Sequence, residues 1–329
     1  MLFRSMGSKY FRFFDLRNAI AITTTGQLSI RWIENEINSY LNRILKTEKD
    51  YVIAVDTDSV YLHLADLVAK AFNSNGEAAR TITFLDKVCE TKLQPVIDNA
   101  CADLGEYTNV FQQKIVMKRE VLADKAIWTA KKRYILNVHN SEGVQYAKPK
   151  KKVMGLEMVK SSTPSACREK LKEVIDVIFD ANEEAVQSFI QTFRGEFETL
   201  PLADIAFPRG VNGLDKYADD KVIYASGCPI HVRGSLVYNH LLRKYGLATK
   251  YPIINSGEKI KYIHLKEPNS IQSNIIAFPQ GGIPKEFDLN KYIDYNTQFE
   301  KTFLDPLTII LKSIGWKAEK TASLEDFFS

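Results

Sequence analysis

Residues 51–64 carry the clearest pattern in the chain. Two apolar runs, Tyr51-Val52-Ile53-Ala54-Val55 and Val60-Tyr61-Leu62-His63-Leu64, flank the polar tetrad Asp56-Thr57-Asp58-Ser59. β-Branched and aromatic residues on both sides of a short polar turn predict a β-hairpin. Before it the period lengthens: Ile33, Ile37, Leu41 and Ile44 recur at helical spacing and predict a helix over residues 23–45, with Thr23-Thr24-Thr25 offering caps. A second helix is expected over 81–104, around Leu85, Val88, Val96 and Ile97, with Pro95 kinking it or marking its true start. Strand-like runs follow at 113–118, 120–128 and 133–138. The first half therefore reads as α+β, an antiparallel sheet with helices on one face.

The character changes near Gly155. Ser162-Thr163-Pro164 sets a cap residue ahead of a proline at the first helical position, and helices are expected over 165–179 and 183–197. A loop rich in Gly, Asp and Pro leads to a helix over 235–244, a strand over 259–265 and a helix over 289–312 interrupted at Pro306. A chain of 329 residues is long enough for two cores, and the expected division is 1–154, a mainly helical domain 155–318, and a tail 319–329. Phe3, Tyr10, Phe11, Phe13 and Phe14 crowd the beginning like buried core, so Met1 reads as entering in mid-domain, with an upstream piece encoded elsewhere. The basic start, free of acids up to Asp15, also fits a mitochondrial presequence; the aromatics argue against it.

Composition narrows the classes. With 45% hydrophobic and 26% charged residues the chain is ordinary for a soluble globular protein. No apolar run approaches the roughly 18 residues of a membrane span. Cys89, Cys101, Cys167 and Cys228 are widely spaced and form no CxxC pair, which predicts buried, reduced thiols rather than a zinc ribbon or a disulfide framework. The five histidines form no HExxH arrangement. The net charge of +4 is uneven: Lys114 to Lys152 holds eleven Lys and Arg against Glu120, Asp124 and Glu142, a local +8, leaving −4 elsewhere. Such a block predicts a polyanion-binding surface or a solvated face.

Three groups carry candidate chemistry. Two carboxylates on one hairpin tip repel unless a cation sits between them, and a divalent metal with oxygen ligands answers that need. The same letters follow a parallel strand in haloacid-dehalogenase-type phosphatases, but the returning run at 60–64 speaks for a hairpin; a purely structural turn stays open. Lys131-Lys132-Arg133-Tyr134 lies at a strand entrance, where alternation sets Lys132 and Tyr134 on one face. Such a face suits a nucleic-acid backbone, or a solvated edge strand. Leu324, Phe327 and Phe328 put three large apolar side chains on the tail, as a partner-binding turn does, or a segment docked on its own protein.

Taken together and in order, these pieces resemble the C-terminal part of a family B DNA polymerase of T-even-like bacteriophages. Asp56-Thr57-Asp58-Ser59 resembles that family's motif C, and Phe14-Asp15-Leu16-Arg17-Asn18-Ala19 with Ala21 to Thr24 and Gly26-Gln27 is similar to the segment before it. Met117-Lys118-Arg119-Glu120 and Lys131 to Val138 resemble palm strands beneath primer DNA, Met154-Gly155-Leu156-Glu157 and Lys160 to Pro164 the passage from palm to thumb, and Ala322 to Phe328 the clamp-binding tail. The chain departs at Ala54-Val55, where the family has Tyr-Gly, at Lys118, where it has Asp, and at Thr321, where it often has Gln.

The resemblance implies a palm sheet, a helical thumb and two-metal nucleotidyl transfer with Mg²⁺. It implies Asp58 and Asp56 as catalytic metal ligands, with Asp58 the stronger candidate, and Glu120 as a weaker, more remote acid of the same metal site. Lys131, Lys132, Arg133, Tyr134, Lys160 and Ser161 become DNA contacts, Lys132 and Tyr134 gripping the primer near its terminus, and Leu324, Phe327 and Phe328 become clamp anchors. Motif A, the fingers and the exonuclease are absent from this sequence. The expected partners are therefore primer-template DNA, dNTP, an N-terminal polymerase fragment and a sliding clamp, with no membrane, in the cytoplasm of an infected host. The alternative is a DNA- and clamp-binding protein that has lost catalysis, which Ala54-Val55 and Lys118 favour and the preserved tetrad opposes.

Overall fold

The computed structural model describes residues 5–72, 78–219 and 222–320. The chain forms two compact units: Met1–Ala126 with Leu136–Lys152, and Ile127–Ile135 with Val153–Ser329. Both mix helices with small sheets, so the α+β expectation is met.

In the first unit, helix α1 spans Leu16–Leu45, beginning well before residue 23. Its cap is Asp15, in extended backbone, whose carboxylate accepts from the Arg17 N–H at 2.9 Å and the Asn18 N–H at 3.4 Å. The threonines expected as caps lie inside the helix instead. Ile33, Ile37, Leu41 and Leu45 form the buried stripe; Ile44, expected within it, is exposed. Each fully buried aliphatic side chain of this stripe contributes about 1.5–3 kcal/mol. The stripe shares a core with Tyr51, Val52, Ile82, Leu85, Leu93, Ile97, Ala100 and Leu122.

Strands β1 (Val52–Asp56) and β2 (Ser59–Leu62) form the expected antiparallel hairpin. Helix α2 (Ala65–Phe72), which the pattern did not predict, follows it. The helix expected over 81–104 is two helices, α3 (Ala78–Val88) and α4 (Gln94–Tyr107), joined through a π-turn at Cys89–Leu93. Pro95 sits in the first turn of α4, where its missing N–H costs least, and the π-turn absorbs the break. Residues 113–118 form no strand; Gln94 Nε2 donates to the Met117 carbonyl at 2.8 Å, and Gln113 Nε2 donates to the Ile115 carbonyl at 2.7 Å. A three-stranded sheet, order β3-β4-β5, comprises Val121–Ala130, Arg133–Ser141 and Val144–Met154.

The second unit packs α5 (Ser165–Asp180) and α6 (Glu183–Phe197) around Phe193, Phe197, Phe299 and Phe303, whose rings lie 4.8–5.7 Å apart. Pro164 holds the cap position of α5 without a side-chain bond, and the Thr163 hydroxyl turns back to the Glu157 carbonyl at 2.7 Å. Helix α7 (Ile230–Lys244) begins earlier than expected and packs on an antiparallel sheet of Phe207–Gly210, Lys259–His264 and Ile275–Phe278. The helix expected over 289–312 is broken into a short 3-10 turn, Tyr295–Phe299, a π-turn and Asp305–Ser313, with Pro306 opening the last piece. Cys89, Cys101 and Cys167 are buried, Cys228 is half-buried, and all are free thiols. Burial pushes the Cys89 and Cys167 thiols up to about 11, which removes thiolate chemistry near neutral pH.

Candidate functional site

The hairpin that carries the two aspartates is held from below. Asn38 on α1 accepts the Tyr51 N–H at 2.8 Å and donates to Asp50 Oδ1 at 2.8 Å. One turn later Asn42 accepts the Lys49 N–H at 2.9 Å and donates to the Lys49 carbonyl at 2.8 Å. Lys49 Nζ in turn reaches Asp66 Oδ2 at 2.6 Å, and this bond draws the Asp66 carboxyl below its ordinary value. The chain entering β1 is thus fixed by side chains that periodicity alone does not single out.

At the other end, Asp56 pairs with Ser59 across the ladder and leaves Thr57-Asp58 as a two-residue loop. Thr57 stands at φ 56°, left-handed backbone that a β-branched residue rarely adopts. Its hydroxyl donates to Asp56 Oδ1 at 3.0 Å, and Ser59 Oγ donates to the Asp56 carbonyl at 3.1 Å. Asp58 is exposed and Asp56 half-buried. The tip therefore offers hard oxygen donors of the kind a divalent ion takes. There are only two carboxylates, and among the described residues no cluster of three His, Cys, Asp or Glu suited to a metal occurs. The tip fits a portion of a metal site, since such ions take six or more oxygens. Glu120, the more remote acid of the sequence reading, is exposed and paired with Lys152.

The basic candidates divide by role. Lys131 and Lys132 are exposed on the two-residue turn between β3 and β4, with Lys132 at φ 62°. Because they occupy a turn, strand alternation does not apply to them. Tyr134 is buried, its ring 6.0 Å from that of Trp128, and so does not share an exposed face with Lys132. Arg133 grips both oxygens of Glu157, at 2.8 and 2.9 Å, and Lys160 Nζ adds a third bond at 2.8 Å. Burial raises the Glu157 pKa, but the Lys160 bond and the two nearby cations outweigh it and hold the carboxyl below the ordinary 4.5. Gly155, at φ 67°, lets the chain pass against the Lys132 carbonyl, where a Cβ would collide. Ser161 is exposed beside this cluster. Arg119 is likewise engaged, with Asp86 and with Asn140 Oδ1 at 2.7 Å. The exposed strand β5 presents Lys148 and Lys150, the latter 4.2 Å from the centre of the Tyr146 ring. Leu324, Phe327 and Phe328 lie outside the described residues.

No family model matches the chain. It is similar to the DNA-directed DNA polymerases of Enterobacteria phage T4 and Escherichia phage RB69, each 37% identical over 340 residues that take in 99% of this chain. The chain spans 37% of the length of each relative. A hairpin tipped by Asp56 and Asp58, set in a sequence that matches these proteins almost from end to end, makes the chain a relative of the family B DNA polymerases of T-even-like phages.

Proposed function

We propose that the chain is the C-terminal palm and thumb of a replicative DNA-directed DNA polymerase, completed by polypeptide that supplies a further catalytic aspartate, the fingers and the exonuclease. The observation that carries this reading is the hairpin tip, which holds two of the carboxylates such a centre needs within a chain 37% identical to phage polymerases.

Asp58 and Asp56 would hold magnesium, two ions in the assembled site, which when bound lowers the pKa of the primer 3′-hydroxyl and stabilises the leaving pyrophosphate. The chain's own contribution is placement. Asn38 and Asn42 fix the base of the hairpin, and the Thr57 hydroxyl orients Asp56. Lys131 and Lys132, exposed on their turn, suit phosphate contacts that position DNA without reading its sequence. Arg133 and Lys160 act on DNA through the turn they brace, since both already hold Glu157. The tail anchors Leu324, Phe327 and Phe328 are assigned to a sliding clamp.

Primer extension tests the reading. The purified chain alone is expected to bind primer-template and to add no nucleotide, whereas the assembled enzyme extends and its Asp58→Asn variant does not. Extension by the lone chain refutes the need for a partner. Full extension by the assembled Asp58→Asn variant removes the catalytic role. DNA and clamp binding with no extension in any assembly would favour the non-catalytic alternative, to which Ala54, Val55 and Lys118 point.

A further inference from the structure

Residues 20–28 of α1 are exposed, although Ala19 before them and Ser29 and Ile30 after them are buried. From Asn18 to Ile30 the sequence has no charged residue. Residues 20–28 are nevertheless exposed around the whole circumference, and Leu16, Ile20, Ile22 and Leu28 are between 42% and 55% open. Large apolar side chains in water with no charged residue among them mark a candidate interaction surface.

The hydroxyls point the same way. Thr23 Oγ1 donates to the Ile20 carbonyl at 2.8 Å, Thr24 Oγ1 to the Ile20 carbonyl at 3.0 Å, and Ser29 Oγ to the Thr25 carbonyl at 2.9 Å. With these hydroxyls satisfied inside the helix, a partner that desolvates it strands none of them. Gly26 is the third sign. A mid-helix glycine costs about 1 kcal/mol against alanine, yet beyond the backbone of its own helix no atom of the described residues lies within 4 Å of where its Cβ would stand. Without a side chain at this position, a second backbone has room to approach the helix here.

We propose that residues 18–28 form an interior helix of the assembled enzyme, enclosed by the polypeptide that corresponds to the rest of the T4 and RB69 relatives, of which this chain spans 37%. The closest backbone approach is at Gly26. The inference rests on the polymerase reading, which supplies the occupant.

The test places one thiol on the helix, Thr24→Cys in a Cys228→Ser background, the other cysteines being buried. The variant is co-expressed with the remaining residues of the phage T4 relative, and maleimide labelling at position 24 is compared in the complex and in the chain alone. The expected results are a complex, labelling at least tenfold slower within it, and at least tenfold weaker assembly for Gly26→Leu with no loss of thermal stability in the lone chain. A complex in which position 24 labels at the free rate overturns this inference and leaves the polymerase reading standing. No complex overturns both. Protection in the lone chain that grows with its concentration would assign the helix to a second copy, and the proposal fails.

Discussion

Asn38 accepts the backbone N–H of Tyr51 at 2.8 Å, and through that bond α1 sets where β1 begins. Tyr51 is buried, so its N–H has no water to turn to if the acceptor is lost. Asn42 repeats the arrangement four residues later, at the spacing that puts two side chains on one helix face. The tip that carries Asp56 and Asp58 is thereby referenced to the longest helix of its unit.

Asn38→Leu removes both of that side chain's bonds and strands a buried donor. The expected loss is about 1–3 kcal/mol, read as a lower urea midpoint at unchanged slope. A midpoint equal to wild type would mean that the core alone fixes the hairpin.

Thr57 holds left-handed backbone at φ 56° in a position glycine would occupy at no steric cost. Its strain is on the order of 1–2 kcal/mol, and its hydroxyl binds the Asp56 carboxylate. Thr57→Gly is expected to raise the stability of the chain by up to ~1 kcal/mol while lowering extension by the assembled enzyme severalfold, because Asp56 loses its orienting bond. Undiminished extension would show that the strain has no part in the chemistry.

The tail makes a separate claim on processivity. Deleting residues 324–329 is expected to shorten products on long templates in the presence of a clamp, with single additions unchanged. Equal product lengths would withdraw Leu324, Phe327 and Phe328 from clamp binding.

The sequence displays the hairpin openly, because apolar runs reverse around four polar residues. The start of α1 is concealed by its threonines. They are ordinary cap residues, but here Thr23 and Thr24 spend their hydroxyls on carbonyls one turn back, and Asp15 does the capping. Strand β5 is hidden by Lys148, Lys150, Lys151 and Lys152, which leave little apolar alternation to read. The inward turn of Tyr134 follows from a two-residue reversal at Lys131-Lys132, and the pairing of Arg133 with a carboxylate 24 residues further on has no local signal. Relationships of that range need the fold itself.

Gly155→Ala sets a Cβ against the Lys132 carbonyl, in left-handed backbone that alanine resists. Both effects oppose the native path of the chain. The expected cost exceeds about 1 kcal/mol and is read in the thermal transition. Gly195→Ala, in the last turn of α6 with nothing near its Cβ, is the control and should be neutral or stabilising. Equal effects at the two positions would mean that the Lys131-Lys132 turn yields freely.

Glu157 ties the same turn to pH. Its carboxyl is held below 4.5 in the folded chain by Lys160 and Arg133, against the opposing pull of burial. A carboxyl depressed on folding stabilises the native state fully above its unfolded pKa, and the gain is lost as pH falls through the folded value. Unfolding measured from pH 7 down to pH 3 should therefore show wild type losing stability below about 4.5, the ordinary value. Glu157→Gln should be less stable at pH 7, because Arg133 and Lys160 lose their counter-charge, and should give up less on acidification. Arg133→Met separates the two cations: Lys160 remains, so the acid-dependent loss shrinks without vanishing. Parallel pH profiles for wild type and Glu157→Gln would show that the cluster contributes no net electrostatic stability and that the turn is held by Gly155 and the buried Leu156 and Met158 alone.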